Sequence, residues 1–187
     1  MPLIIEVPPG EYFNEETEEF VKVPGVTLKL EHSLIAISKW EAKYHKTFLK
    51  KNKKSSEEMK YYIKCMTITQ NVNPIIYDLL TSDNYERITK YIENPMSATK
   101  IPKLAFEMNG QEMTKDDLTS EMIYYIMVAA QIPFKCETWH LNRLLKLIEI
   151  YNLKNQDPEK NKMSRQQLLA RNRALNEARR AKFNTKG

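Results

Sequence analysis

Apolar and polar positions change their rhythm three times along the chain. Residues 1–31 run in short apolar, β-branched stretches cut by turn residues. Leu3-Ile4-Ile5-Glu6-Val7 stops at Pro8-Pro9-Gly10, Phe20-Val21-Lys22-Val23 stops at Pro24-Gly25, and Val26-Thr27-Leu28-Lys29-Leu30 alternates with period two. This predicts a small antiparallel β-meander of three or four strands, with a hairpin through Pro24-Gly25.

From residue 32 the spacing becomes helical. Ile37, Trp40, Tyr44 and Phe48 predict a helix opened by Ser33 and closed by the lysine-rich stretch 50–54. Ser55 and Glu58 form a capping box before Met59, Tyr62, Ile63 and Met66. Asn73-Pro74 starts a short helix with Ile75, Ile76, Leu79 and Leu80, and Ser82 caps one with Tyr85, Ile88 and Ile92. Residues 94–102 read as a loop. Leu104-Ala105-Phe106-Glu107-Met108 before Asn109-Gly110 predicts a strand at a hairpin turn. Thr114 and Asp117 are expected to open an apolar helix over 118–131, ended by Pro133. A second helix is expected over 137–153, with Leu141, Leu144, Leu145, Ile148 and Tyr151 on one face. The two would form an antiparallel pair at the centre of the core.

After residue 154 the rhythm weakens. A polar linker with Pro158 precedes 164–182, rich in helix formers but with only Leu168, Leu169 and Leu175 as large apolar side chains. So narrow an apolar face predicts a detachable arm, partly disordered or helical, that orders on contact. The organisation is thus a β-meander over 1–31, a helical core over 32–153 and a basic arm over 154–187. The fold class is mainly α (α+β): an N-terminal meander, a helical bundle and a C-terminal helical arm.

Charge sharpens the boundary at the arm. The chain has 187 residues and a formal charge of +5. Ten basic residues against three acids give the arm +7, which leaves −2 on residues 1–153. The arm therefore seeks an anionic surface or stays solvated. The hydrophobic fraction of 42% and charged fraction of 28% are those of a globular protein. Four glycines leave little room for phosphate-cradling loops. Cys65 and Cys136 form neither a disulfide framework nor a CxxC pair, which suits a reducing compartment. The first residues lack the pattern of a signal peptide, and no apolar run reaches membrane-spanning length.

Catalytic and metal signals are weak. His32, His45 and His140 are scattered and stand in no metal-binding motif, so packing or capping is their simpler role. Cys136 and His140 would be neighbours if one helix spanned both, but nucleophilic catalysis also needs an orienting group and an oxyanion site. The N-terminal acids Glu11, Glu15, Glu16, Glu18 and Glu19 read as a solvated edge that discourages strand addition. Met122, Tyr124, Tyr125 and Met127 read first as core, and secondarily as an adaptable binding surface. The arm has the charge to meet nucleic acid but only Phe183 to stack on bases. The expectation is a protein that is no enzyme and holds neither cofactor nor metal.

Several segments resemble, in order, a family of small proteins from tailed bacteriophages. They are Leu30-Glu31-His32-Ser33-Leu34, Ile37-Ser38-Lys39-Trp40-Glu41, Phe48-Leu49, Tyr62-Ile63-Lys64-Cys65-Met66-Thr67 and Pro95-Met96-Ser97-Ala98-Thr99. Trp139-His140-Leu141-Asn142-Arg143-Leu144-Leu145, Met163-Ser164-Arg165 and Ala170-Arg171-Asn172-Arg173-Ala174-Leu175-Asn176 complete the series. The resemblance is to tail assembly chaperones or minor tail proteins. It implies reversible binding of the helical tape-measure protein before tail-tube subunits polymerise, in the host bacterial cytoplasm. A minor tail or baseplate component retained in the virion tail is one alternative, and a nucleic-acid-binding accessory protein using the arm is another. Homo-oligomerisation stays open, and membrane contact is not expected. Trp40, Tyr44, Trp139 and His140 are the signature positions, with core packing the simpler role of both tryptophans. Arg171, Arg173, Arg179 and Arg180 on the arm are the candidate contact surface.

Overall fold

The computed structural model describes residues 1–14, 18–99, 106–108, 111–113, 118–155 and 165–183; within these, the side chains of 14, 106–108, 111–113, 165–168, 171, 178 and 181–183 are not described. The chain divides into two compact units, Met1–Asn152 and Leu153–Gly187.

The first unit opens with four strands: β1 (Leu3–Val7), β2 (Gly10–Asn14), β3 (Glu19–Val23) and β4 (Val26–Leu30). All pair antiparallel, but as a nested pair rather than a meander: β2 and β3 are successive in the chain, whereas β1 and β4 are not. β1 pairs with β4, setting Ile5 opposite Leu28 and Val7 opposite Val26, while β2 pairs with β3, setting Gly10 opposite Val23. The expected hairpin through Pro24-Gly25 is therefore corrected. β3 and β4 are each bonded to another strand, and Pro24-Gly25 lies across from Pro8-Pro9, midway along one long nested ribbon. Prolines lack the N–H that a ladder needs, so the break falls where they face each other. Alternation sends Ile5, Val7, Leu28 and Leu30 into the core and leaves Ile4, Glu6, Thr27 and Lys29 outside.

Helix α1 (Leu34–Tyr44) is capped by Ser33, whose Oγ accepts the Ala36 N–H. It ends at Tyr44 with His45 in the left-handed region, so Phe48 lies beyond the helix rather than on it, yet it is buried. The predicted capping box stands at the start of α2 (Ser56–Met66), where Ser55 and Glu58 bond reciprocally. Asn73-Pro74 opens a 3-10 turn, Pro74–Tyr77. In α3 (Ser82–Glu93) the cap is Thr81, with Asn84 as its box partner, and not Ser82.

Two short strands, β5 (Phe106–Met108) and β6 (Gln111–Met113), pair around Asn109-Gly110, which itself lies outside the described residues. The same holds for the caps expected at Thr114 and Asp117; α4 (Ser120–Ala129) is capped by Thr119. A 3-10 turn, Phe134–Thr138, precedes α5 (Leu141–Asn155). The expected α4–α5 pair is not the centre of the core. That place belongs to α1, which packs on α2, on α4 and on the turn at Phe134–Thr138. Trp40, Ile37 and Leu34 of α1 are buried, together with Tyr62, Ile63, Ile88, Ile123, Leu141, Leu144 and Ile148.

The second unit contains α6 (Arg165–Phe183). The expected linker 155–163 lies almost wholly outside the described residues. Among the described residues no helix is long and apolar enough to cross a membrane.

Candidate functional site

Of the arm residues, Arg173, Arg179 and Arg180 are exposed on α6; Arg171 is on the same helix, with its side chain outside the description. Leu169 and Leu175 are 51% and 45% exposed. The helix thus presents arginines and leucines together, with no acid in its first turn.

The signature positions divide. Trp40 is a core residue, 2% exposed, and its Nε1–H donates to the Glu58 carbonyl at 3.0 Å. Tyr44 packs against it with the ring planes tilted and the centroids 4.9 Å apart. Trp139 is half-buried under the guanidinium of Arg143, 4.4 Å from the ring centroid. The paired reading of Cys136 and His140 is corrected: Cys136 sits in the 3-10 turn, Trp139 is extended, and α5 begins only at Leu141, so no single helix carries both.

His140 instead meets His32, which the sequence left scattered. His32 lies between β4 and α1 and His140 immediately precedes α5, and their rings lie 5.0 Å apart. The Leu141 N–H donates to the His32 carbonyl at 2.6 Å, pinning the two segments together. Both histidines are buried. His140 Nε2 faces the Tyr91 carbonyl at 3.0 Å, an acceptor, so it carries the proton; Nδ1 faces the Asn142 N–H at 3.3 Å and accepts. His32 Nδ1 bonds the buried Tyr62 hydroxyl, and the Tyr91 hydroxyl donates to Glu31 Oε1 at 2.6 Å. Burial, then the neighbouring His140, pulls the His32 pKa down to about 3. Burial also lowers His140, against the Tyr91 carbonyl that favours its charged form. Burial raises both tyrosine hydroxyls, and Glu31 raises that of Tyr91 further. At neutral pH the cluster is two neutral imidazoles locked between phenols, an arrangement suited to fastening β4 to α3 and α5.

A second buried polar group was missed altogether. Glu41, on the inner side of α1, accepts the Phe48 N–H at 2.8 Å and the Ser120 N–H at 2.7 Å. No spacing in the sequence signals it, because both partners are backbone groups, one of them 79 residues away. Among the described residues no group of three or more His, Cys, Asp or Glu is placed to hold a metal ion.

The chain matches no protein-family model, no curated protein and no solved structure.

Proposed function

We propose that this chain is a non-enzymatic binding protein of phage tail assembly, a chaperone that holds the tape-measure protein through its C-terminal helix. The observation that carries this reading is α6 itself. It exposes Leu169 and Leu175 beside Arg173, Arg179 and Arg180, so it offers an apolar anchor and positive charge at once. Such a face suits an amphipathic helix with acidic flanks, in the helix-against-helix mode of recognition. An isolated helix of this kind is marginal in water and gains order from a partner. The resemblance to tail assembly chaperones supplies the identity of that partner.

Co-expression with the tape-measure protein tests the reading. The full chain is expected to co-purify with it. Replacing Leu169 and Leu175 by Asp, or Arg173, Arg179 and Arg180 by Glu, is expected to weaken capture at least about tenfold. Equal capture by all three forms, or none by the full chain, overturns it.

A further inference from the structure

The near-neutral charge of residues 1–153 conceals a second division. Between residues 38 and 64 stand nine lysines, no arginine and three acids, a local charge of +6, so the rest of the body carries −8. One of the three acids is Glu41, buried on backbone N–H groups. The excess falls on α1, α2 and the loop between them, which pack as neighbours.

Two carboxylates answer it. Glu58 pairs with Lys46 at 2.7 Å and Asp78 pairs with Lys60. Lys39, Lys43, Lys50, Lys51, Lys53 and Lys64 are exposed and have no carboxylate partner among the described residues. The lysines are interleaved with rings. The Lys43 ammonium lies 3.8 Å from the Tyr61 ring centroid and 5.5 Å from that of Tyr44, and the two rings meet edge to face at 5.7 Å. Lys54 lies 4.4 Å from the Phe48 ring. A cleft of about 360 Å³ is lined by Lys43, Tyr44, Lys60, Tyr61 and Lys64, with the carboxylates of Glu57 and Asp78 also on its wall. A second, of about 420 Å³, is lined by Lys46, Lys50, Lys53 and Lys54, with Glu58 among them.

The residue types choose the partner class. Protein interfaces favour arginine, methionine and the aromatic residues, tyrosine included, and are depleted in lysine. A run of lysines without arginine offers compact point charges that match phosphates without demanding a fixed fork geometry. Tyrosines among them offer faces for bases. We propose that the α1–α2 face binds single-stranded nucleic acid without sequence preference, with the exposed lysines along the phosphates and Tyr44 and Tyr61 under the bases. This surface is separate in residues and chemistry from α6, so it stands whether or not α6 captures a tail protein.

Anisotropy of a labelled oligothymidylate titrated with the full chain, over a series of salt concentrations, tests the proposal. The logarithm of the binding constant is expected to fall linearly with the logarithm of salt, by about 0.7 per phosphate neutralised. Replacing Lys39, Lys43, Lys50 and Lys53 by Gln is expected to weaken binding at least about tenfold and make the salt slope shallower. These side chains are exposed, and circular dichroism checks that the variant folds. Replacing Arg173, Arg179 and Arg180 by Gln is expected to leave most of the affinity, and Tyr44→Leu is expected to erode the preference for the single strand over duplex. Absence of binding at low salt, loss confined to the α6 variant, or displacement by polyglutamate at equal charge concentration overturns the proposal; the last would make an acidic protein the partner.

Discussion

The Glu41 carboxylate joins three segments. It sits on α1, and its two oxygens take the N–H of Phe48, just past the end of that helix, and of Ser120, the first residue of α4. Phe48 and Ser120 are buried, so neither N–H has water as an alternative. Glu41→Ala leaves two buried donors without an acceptor and is expected to cost about 3 kcal/mol. Glu41→Gln keeps one acceptor oxygen and turns an NH2 toward the other donor, so about half that loss is expected. Urea unfolding midpoints of the three proteins measure the order; an Ala variant as stable as the parent would mean that the two N–H groups find other partners. Trp40 was legible from helical spacing as a residue with a core role, because spacing reports apolar faces. Glu41, its neighbour, was not, since a lone acid in a helix reads as solvated until its backbone partners are located.

At the scale of elements, the caps were the most legible feature and the strand pairing the least. Ser33 and Ser55 open helices as their local chemistry requires, because a cap is a matter of three or four residues. The pairing of β1 with β4 is decided by contacts some twenty residues apart, and Pro24-Gly25 looks like a turn whether it closes a hairpin or bends a ribbon. Gly25 distinguishes the two. A Cβ there would stand 3.0 Å from Pro9 Cδ and 3.1 Å from the Val7 carbonyl oxygen, a close approach fixed by backbone. Gly25→Ala is therefore expected to cost about 1–2 kcal/mol. A Cβ at Gly10 meets only the Leu79 side chain at 3.6 Å, ordinary contact, so Gly10→Ala is expected to stay within about 0.5 kcal/mol. Thermal denaturation of the two variants separates a nested ribbon from a local hairpin, which has no reason to distinguish them in this direction.

At the scale of the whole molecule, the net charge was legible and its layout only in part. The basic arm stands out by composition, whereas the +6 region of residues 38–64 is masked by acids spread over the rest of the body. The His32–His140 cluster was invisible for a related reason: its members come from the segment after β4, from α2, from α3 and from the residue before α5, and only the fold assembles them. Its consequence is global. His32 has an ordinary pKa of 6.5 in an open chain and about 3 in the folded protein. Between those values the unfolded chain binds a proton that the native state refuses, so acid favours unfolding. The stabilisation is fully present above pH 6.5 and is lost as pH falls from 6.5 toward 3. His140, also lowered by burial, acts in the same direction. The loss from His32 alone is on the order of 4 kcal/mol across that window. Denaturant midpoints between pH 7 and pH 4 are expected to fall steadily, beginning before the carboxylates titrate. His32→Asn retains a polar group for the Tyr62 hydroxyl but cannot titrate, so it is expected to be less stable at pH 7 and to show a flatter profile down to pH 5. A variant whose profile runs parallel to that of the parent would place the acid sensitivity elsewhere, and would reduce the buried imidazole pair to a packing contact.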